Sequence, residues 1–142
     1  VIRARHAAGA VVAGTSAGAA VMSARMLTGE ADLRAVRAGT TELAEGFGLW
    51  DGVIVDQHFV RRHRNNRLLS AVLDNPSLVG YGIDERTACV VTRKSIEVVG
   101  EGSVLVYDAR KATVETVTAG DRHSAMGLQM HVLRAGAKLP RR

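Results

Sequence analysis

The apolar positions follow two regimes that meet after Thr87. Before it, short apolar runs alternate with segments of helical character. Gly9 to Gly14 (GAVVAG) reads as a strand buried on both faces, as in a parallel sheet. Ala17 to Leu27 reads as an alanine- and methionine-rich helix, interrupted only by Gly18. Thr28 to Trp50 has mixed charge and weak periodicity, which predicts a loop with one short helix. Val53 to Phe59 (VIVDQHF) reads as a strand, apolar at its start and polar at its end. Arg64 to Leu73 follows as a helix closed by Asp74-Asn75-Pro76, because proline and the residue before it disfavour continuation. Leu78 to Ile83 (LVGYGI) predicts a third strand, with Asp84 and Glu85 at its C-terminal end.

Beyond Thr87 the runs shorten. Ala88 to Thr92, Ser95 to Val99 and Ser103 to Tyr107 are β-type runs joined by Arg93-Lys94 and Gly100-Glu101-Gly102 turns. Thr113 to Val117 and Leu128 to Leu133 add two more. The whole predicts one α/β domain: a βαβαβ segment over residues 1–87, then β-hairpins over 88–142 that extend the sheet antiparallel at one side.

Composition changes this picture little. A 46% hydrophobic and 23% charged share over 142 residues suits one domain with a sizeable core, not a disordered chain. No run approaches the roughly 20 apolar residues of a membrane-spanning helix. The single cysteine, Cys89, excludes a disulfide-stapled scaffold and zinc-finger cysteine pairs. The chain opens at Val1, not Met, and reaches an apolar run within about ten residues, so we expect the C-terminal part of a longer chain.

Charge is more informative. The net charge is +5, and setting aside Arg61, Arg62, Arg64 and Arg67 leaves +1. The excess is one local cluster. A nucleic-acid binder would interleave aromatics for stacking, and none lies between Arg61 and Arg67.

Gly14-Thr15-Ser16-Ala17-Gly18 is G-x-S-x-G between the first predicted strand and helix, the context a nucleophile elbow requires. A nucleophile there projects from a sharp turn, and the N–H of Ala17 is the natural first oxyanion donor. The competing reading is a glycine-rich turn that only packs a helix on a strand. A phosphate loop finds no lysine or Rossmann-type glycine pattern.

A serine hydroxyl needs a base, and the base an orienting acid. Of five histidines, only His58 lies at the C-terminal end of a predicted parallel strand, where α/β sheets place their sites. Asp84 and Glu85 reach the same rim, and position alone does not separate them. Asp56, His58 and His63 form a weaker alternative, a metal site without helical ligand spacing.

Arg64 and Arg67 share a helix face, which Arg61 joins if the helix starts early. Arginines at a helix start oppose its dipole, so an anion should meet them. Guanidinium groups bind carboxylates bidentately, and an acidic substrate beside the site would supply one.

The stretches GTSAGAAVMSARMLTGE, VIVDQHFVRRHRNNRLL and GYGIDERTA, in that order, resemble the cyanophycinase group of the S51 serine peptidase family. DQHF followed by R-x-R-x-x-R-L is more specific than the serine motif. It separates this group from the α-aspartyl dipeptidases of the same family. The resemblance spans nearly the whole chain and is strongest from Gly14 to Ala88. It implies Ser16 as nucleophile, His58 as base and Glu85 as acid, with Asp56, Gln57, Arg62, Arg64 and Arg67 in the substrate pocket. Arg61 does not match. The implied activity is cleavage of cyanophycin, a polyaspartate carrying arginine on each β-carboxyl, into β-aspartyl-arginine dipeptides. Competing readings are a related S51 aspartyl dipeptidase and an inactive homologue acting as a binding module.

The expected fold is then a parallel sheet with flanking helices, flavodoxin-like or class I glutamine amidotransferase-like, with C-terminal antiparallel hairpins and its N-terminal strands missing. The second oxyanion donor and a pocket glutamine would lie in that missing part. No cofactor, metal, nucleic acid or membrane is expected. A homodimer is a candidate assembly and the cytoplasm the expected location.

Overall fold

The structure, a computed structural model, describes residues 1–29 and 31–141. In chain order its elements are α1 (Ile2–Ala7), α2 (Ala17–Ala20), β1 (Arg25–Leu27), β2 (Leu43–Glu45), β3 (Val53–Gln57), α3 (Asn65–Asp74) and β4 (Val79–Ile83). Then come β5 (Thr87–Val91), β6 (Ser95–Gly100), β7 (Ser103–Asp108), β8 (Thr113–Val114), β9 (Ala125–Met126), β10 (Gln129–Arg134) and β11 (Lys138–Pro140).

The largest sheet among the described residues is four-stranded and mixed, in the order β10-β7-β4-β3. β3 and β4 run parallel across α3, with Val55 opposite Tyr81. β7 lies antiparallel on β4, and β10 antiparallel on β7. The period-2 alternation of β3 sorts its side chains onto two cores. Val53 and Val55 join Tyr81, Ile83, Val104 and Val106 on the face covered by β5 and β6. Ile54 turns the other way, toward Phe59, Leu68 and Val72 beneath α3. Asp56, two residues on, shares that second face.

α3 exists because Leu68, Ala71 and Val72 recur at helical spacing and all are buried. It stops at Asn75, whose side-chain amide donates to the Ala71 carbonyl, ahead of Pro76. The hairpin β5–β6 gains a third strand in β11.

Several expected elements differ. Gly9 to Gly14 forms no ladder among the described residues, and Val11 is 94% exposed. An apolar strand of the parallel-sheet kind needs paired neighbours and covering side chains, and the described residues supply neither. The expected helix from Ala17 to Leu27 lasts one turn. Ser23, fully buried, places its Oγ 2.7 Å from the Ala20 carbonyl and 2.9 Å from that of Arg25, and it bridges to Trp50. A serine hydroxyl so placed competes with helical pairing. Arg25 to Leu27 instead become β1, paired antiparallel with β2, so the Thr28–Trp50 segment contributes a strand where a short helix was expected. The run Thr113 to Val117 contracts to β8, paired with the unexpected β9. Helix α1 was also unexpected.

Candidate active site

Ser16 precedes the first residue of α2 with φ 53° and ψ −122°. Positive φ is unfavourable for a residue with a Cβ, and such conformations persist where the surroundings enforce them. The enforcement is visible at Gly14, where a Cβ would lie 2.2 Å from the Gly18 carbonyl oxygen. Only glycine admits this approach, and the sharp turn leaves Ser16 exposed. Ala17 opens α2, and the first N–H groups of a helix have no intrahelical acceptor.

His58 follows β3 directly and also has a positive φ, 52°. Its Nε2 lies 2.9 Å from Ser16 Oγ, and its Nδ1 lies 2.6 Å from Glu85 Oε1. A carboxylate only accepts, so Nδ1 is the donor. In the neutral ring Nε2 is then free to accept the serine proton. Glu85 stands just past β4. The side chains of His58 and Glu85 are 23% and 45% exposed, so the chain of bonds lies open at the surface. Asp84 does something else: its Oδ1 accepts the N–H of Arg61 at 3.2 Å and ties the loop after β3 to the loop after β4. Geometry thus separates the two acids that position left equivalent.

A second charged cluster lies two residues before His58. Asp56 has no exposed surface. One carboxylate oxygen accepts Arg67 Nε at 2.7 Å, and the other meets Arg67 Nη2, Arg64 Nη1 and the N–H of Gln57. Arg67 is itself buried inside α3. The anion demanded by arginines at a helix start is therefore internal. In this arrangement Asp56 and Arg67 bond to each other, while Arg67 also lines the cleft described below. The pairing leaves the Asp56 carboxylate, filled by two guanidiniums, ill placed to join His58 and His63 around a metal.

Arg64 is split between roles. Nη1 donates to Asp56 and to the Gln57 carbonyl at 2.7 Å, while the side chain remains 14% exposed. Burial and the adjacent positive charge of Arg67 hold its pKa below the usual value; Asp56 opposes them and Arg62 adds to the lowering. A cleft of about 350 Å³ lies here, lined by Gly29, Ala31, Leu33, Arg62, Arg64 and Arg67. Arg62 is exposed on it. Arg61 joins this region through its backbone N–H, the donor to Asp84. The Gln57 side-chain oxygen is buried, with no hydrogen-bond partner among the described residues. A larger cleft of about 580 Å³, lined by Val1, Ile2, Arg3, Glu45, Gly46 and Phe47, holds none of these groups.

The model of peptidase family S51 matches residues 1–99. The chain belongs to peptidase family S51. Among curated relatives it is 40% identical to the cyanophycinase of Trichormus variabilis over 88% of this chain and 43% of that one. It is 40% identical to the cyanophycinase of Geminocystis herdmanii over 91% and 49%, and 35% identical to that of Synechococcus elongatus over 89% and 40%. The chain spans less than half the length of these relatives. The crystal structure of a peptidase from an acI-B1 Actinobacterium aligns with a TM-score of 0.54 at 27% identity, covering 88% of this chain and 43% of that one. It accords with the mixed α/β fold.

Two supporting residues escaped the sequence reading. Asn66 donates its amide to the Leu33 carbonyl at 2.8 Å and so holds one wall of the arginine cleft. Thr87 bonds to the Glu85 loop. Polar residues beside recognised motifs were the available signal, but their partners are remote in sequence. No helix among the described residues is long and apolar enough to cross a membrane.

Proposed function

We propose that this S51 chain carries the catalytic residues of a serine exopeptidase that hydrolyses cyanophycin to β-aspartyl-arginine dipeptides. The observation that carries the reading is the unbroken chain Ser16 Oγ–His58 Nε2 and His58 Nδ1–Glu85 Oε1, at 2.9 and 2.6 Å. Ser16 attacks the scissile carbonyl while His58 takes its proton, and Glu85 orients the ring and stabilises the imidazolium. The Ala17 N–H is the first donor to the developing oxyanion. His58 then returns the proton to the leaving amine, and water activated by the same base releases the acyl group.

Arg62 and the outer face of Arg64 take a substrate carboxylate, since their cleft carries positive charge that Asp56 only partly offsets. Asp56 and Arg67 support these groups from behind. The name shared by the curated relatives and the R-x-R-x-x-R run after DQHF favour cyanophycin over an aspartyl dipeptide. The parallel β3-α3-β4 unit is what supports a flavodoxin-like arrangement of the whole domain.

The test is incubation of the protein carrying this chain with purified cyanophycin, with the products weighed by mass spectrometry. β-Aspartyl-arginine should accumulate. Cleavage of aspartyl dipeptides with cyanophycin left intact would move the reading to the dipeptidase branch, and no cleavage of either would leave a binding module.

A further inference from the structure

Glu85 presents a puzzle of positioning. Its side chain is nearly half exposed, and the residue after it, Arg86, has a φ of 52°. An exposed carboxylate on a strained loop would not by itself hold a 2.6 Å contact with His58. The structure supplies the restraint from the hairpin region. The Thr87 hydroxyl donates to the Glu85 carbonyl at 2.9 Å and accepts the N–H of Gly102, also at 2.9 Å. The N–H of Glu101 donates to the Arg86 carbonyl at 2.9 Å, and the N–H of Asp84 to the Ser103 carbonyl at 3.1 Å. The β6–β7 turn is thereby laid against the loop that presents the acid. The approach is so close that a Cβ on Gly102 would lie 2.6 Å from Thr87 Oγ1 and 2.9 Å from the Glu85 carbonyl oxygen.

We propose that Thr87 is a positioning residue for the acid: its hydroxyl couples the β6–β7 turn to Glu85 and thereby fixes the orientation of His58. The inference rests on the reading of Ser16, His58 and Glu85 given above. It assigns a positioning purpose to the β6–β7 turn, between a strand that covers one face of the sheet and a strand that extends it. Both hydrogen bonds of the hydroxyl are to backbone groups, so serine can replace threonine but valine cannot.

The experiment compares Thr87→Val, Thr87→Ser, Glu85→Gln, the Glu85→Gln/Thr87→Val pair and Ser16→Ala in the protein carrying this chain, with kcat and KM on cyanophycin and a thermal melt for each. Thr87→Val should lower kcat about tenfold, since small displacements of a catalytic group are expensive, with KM within about twofold. Thr87→Ser should restore kcat. In the Glu85→Gln background Thr87→Val should reduce kcat no further, because both act through one group. Thr87→Ala serves the same comparison if the valine variant does not fold. A Thr87→Val enzyme with unchanged kcat, beside an inactive Ser16→Ala and an impaired Glu85→Gln, would overturn the inference alone. So would full additivity in the double variant. An active Ser16→Ala would instead remove the site reading on which it stands.

Discussion

Asp56 and His58 lie two residues apart at the end of β3, yet they belong to charged clusters of opposite kind. The Asp56 cluster is sealed: the carboxylate has no exposed surface and its two arginines are largely covered. The Ser16–His58–Glu85 chain is open, with the acid nearly half exposed. Strand alternation would place residues 56 and 58 on the same face, beneath α3. The left-handed backbone at His58 breaks that alternation and sends the ring to Ser16 and Glu85. Residues two apart thus fall in different clusters, Asp56 against two arginines and His58 between Ser16 and Glu85. The carboxylate of Asp56 is buried and paired, whereas the His58 imidazole is part-exposed and turns its Nε2 to the exposed Ser16 hydroxyl.

The sharpest way to break this contrast is to remove the reactive groups. Ser16→Ala and His58→Ala should each lower kcat by roughly 10⁴-fold or more, as loss of a nucleophile or its base does. Neither should shift stability by more than about 0.5 kcal/mol, as expected for side chains outside the core. Steady-state rates and denaturant melts check both halves. Asp56→Asn should behave in the opposite sense. Removing one partner of a buried ion pair leaves the arginines uncompensated, and the expected loss is about 3–5 kcal/mol of folding stability. A urea midpoint within error of wild type would mean that Asp56 is not the support described here.

Smaller effects refine the comparison. Glu85→Gln keeps the shape and loses the charge, and kcat should fall about 10²-fold, the low end for an oriented acid–base group. At the arginines the sealed and open clusters meet. Arg62→Lys and Arg64→Lys lose the planar fork. A charge-assisted hydrogen bond is worth about 1.5–3 kcal/mol, so kcat/KM should fall roughly ten- to hundredfold. Arg67→Lys should register in stability more than in KM, and Arg61→Lys should do little at all. Four similar, strongly salt-dependent losses in kcat/KM would make the cluster a general electrostatic patch.

The open cluster was the more legible of the two in sequence. G-x-S-x-G, a histidine at a strand end and an acid after the next strand are local signals, and the structure brings Ser16, His58 and Glu85 together. Asp84 was separable from Glu85 only by the resemblance until its bond to the Arg61 N–H was visible. The sealed cluster was less legible for a physical reason. From sequence, the anion beside Arg64 and Arg67 was expected in a substrate, and the structure also places the Asp56 carboxylate there. Alternation along β3 says which residues share a face but not which face α3 covers. The strand-helix-strand unit from Val53 to Ile83 was legible because its apolar runs are strong and its ends are marked. Gly9 to Gly14 and Ala17 to Leu27 were misread because pairing partners and the buried Ser23, not propensity, decide those backbones. The coupling of Thr87 to Gly102 was invisible, since a hydroxyl's choice of partner leaves no pattern along the chain.

The central claim is that His58 makes Ser16 a nucleophile, and covalent labelling tests it without any assumption about substrate. A fluorophosphonate probe should form a single adduct on the tryptic peptide His6 to Arg25, located at Ser16 by fragmentation. Labelling should be lost in Ser16→Ala and strongly slowed in His58→Ala. An unlabelled wild-type protein, or a Ser16 adduct that forms as fast in His58→Ala, would contradict the account.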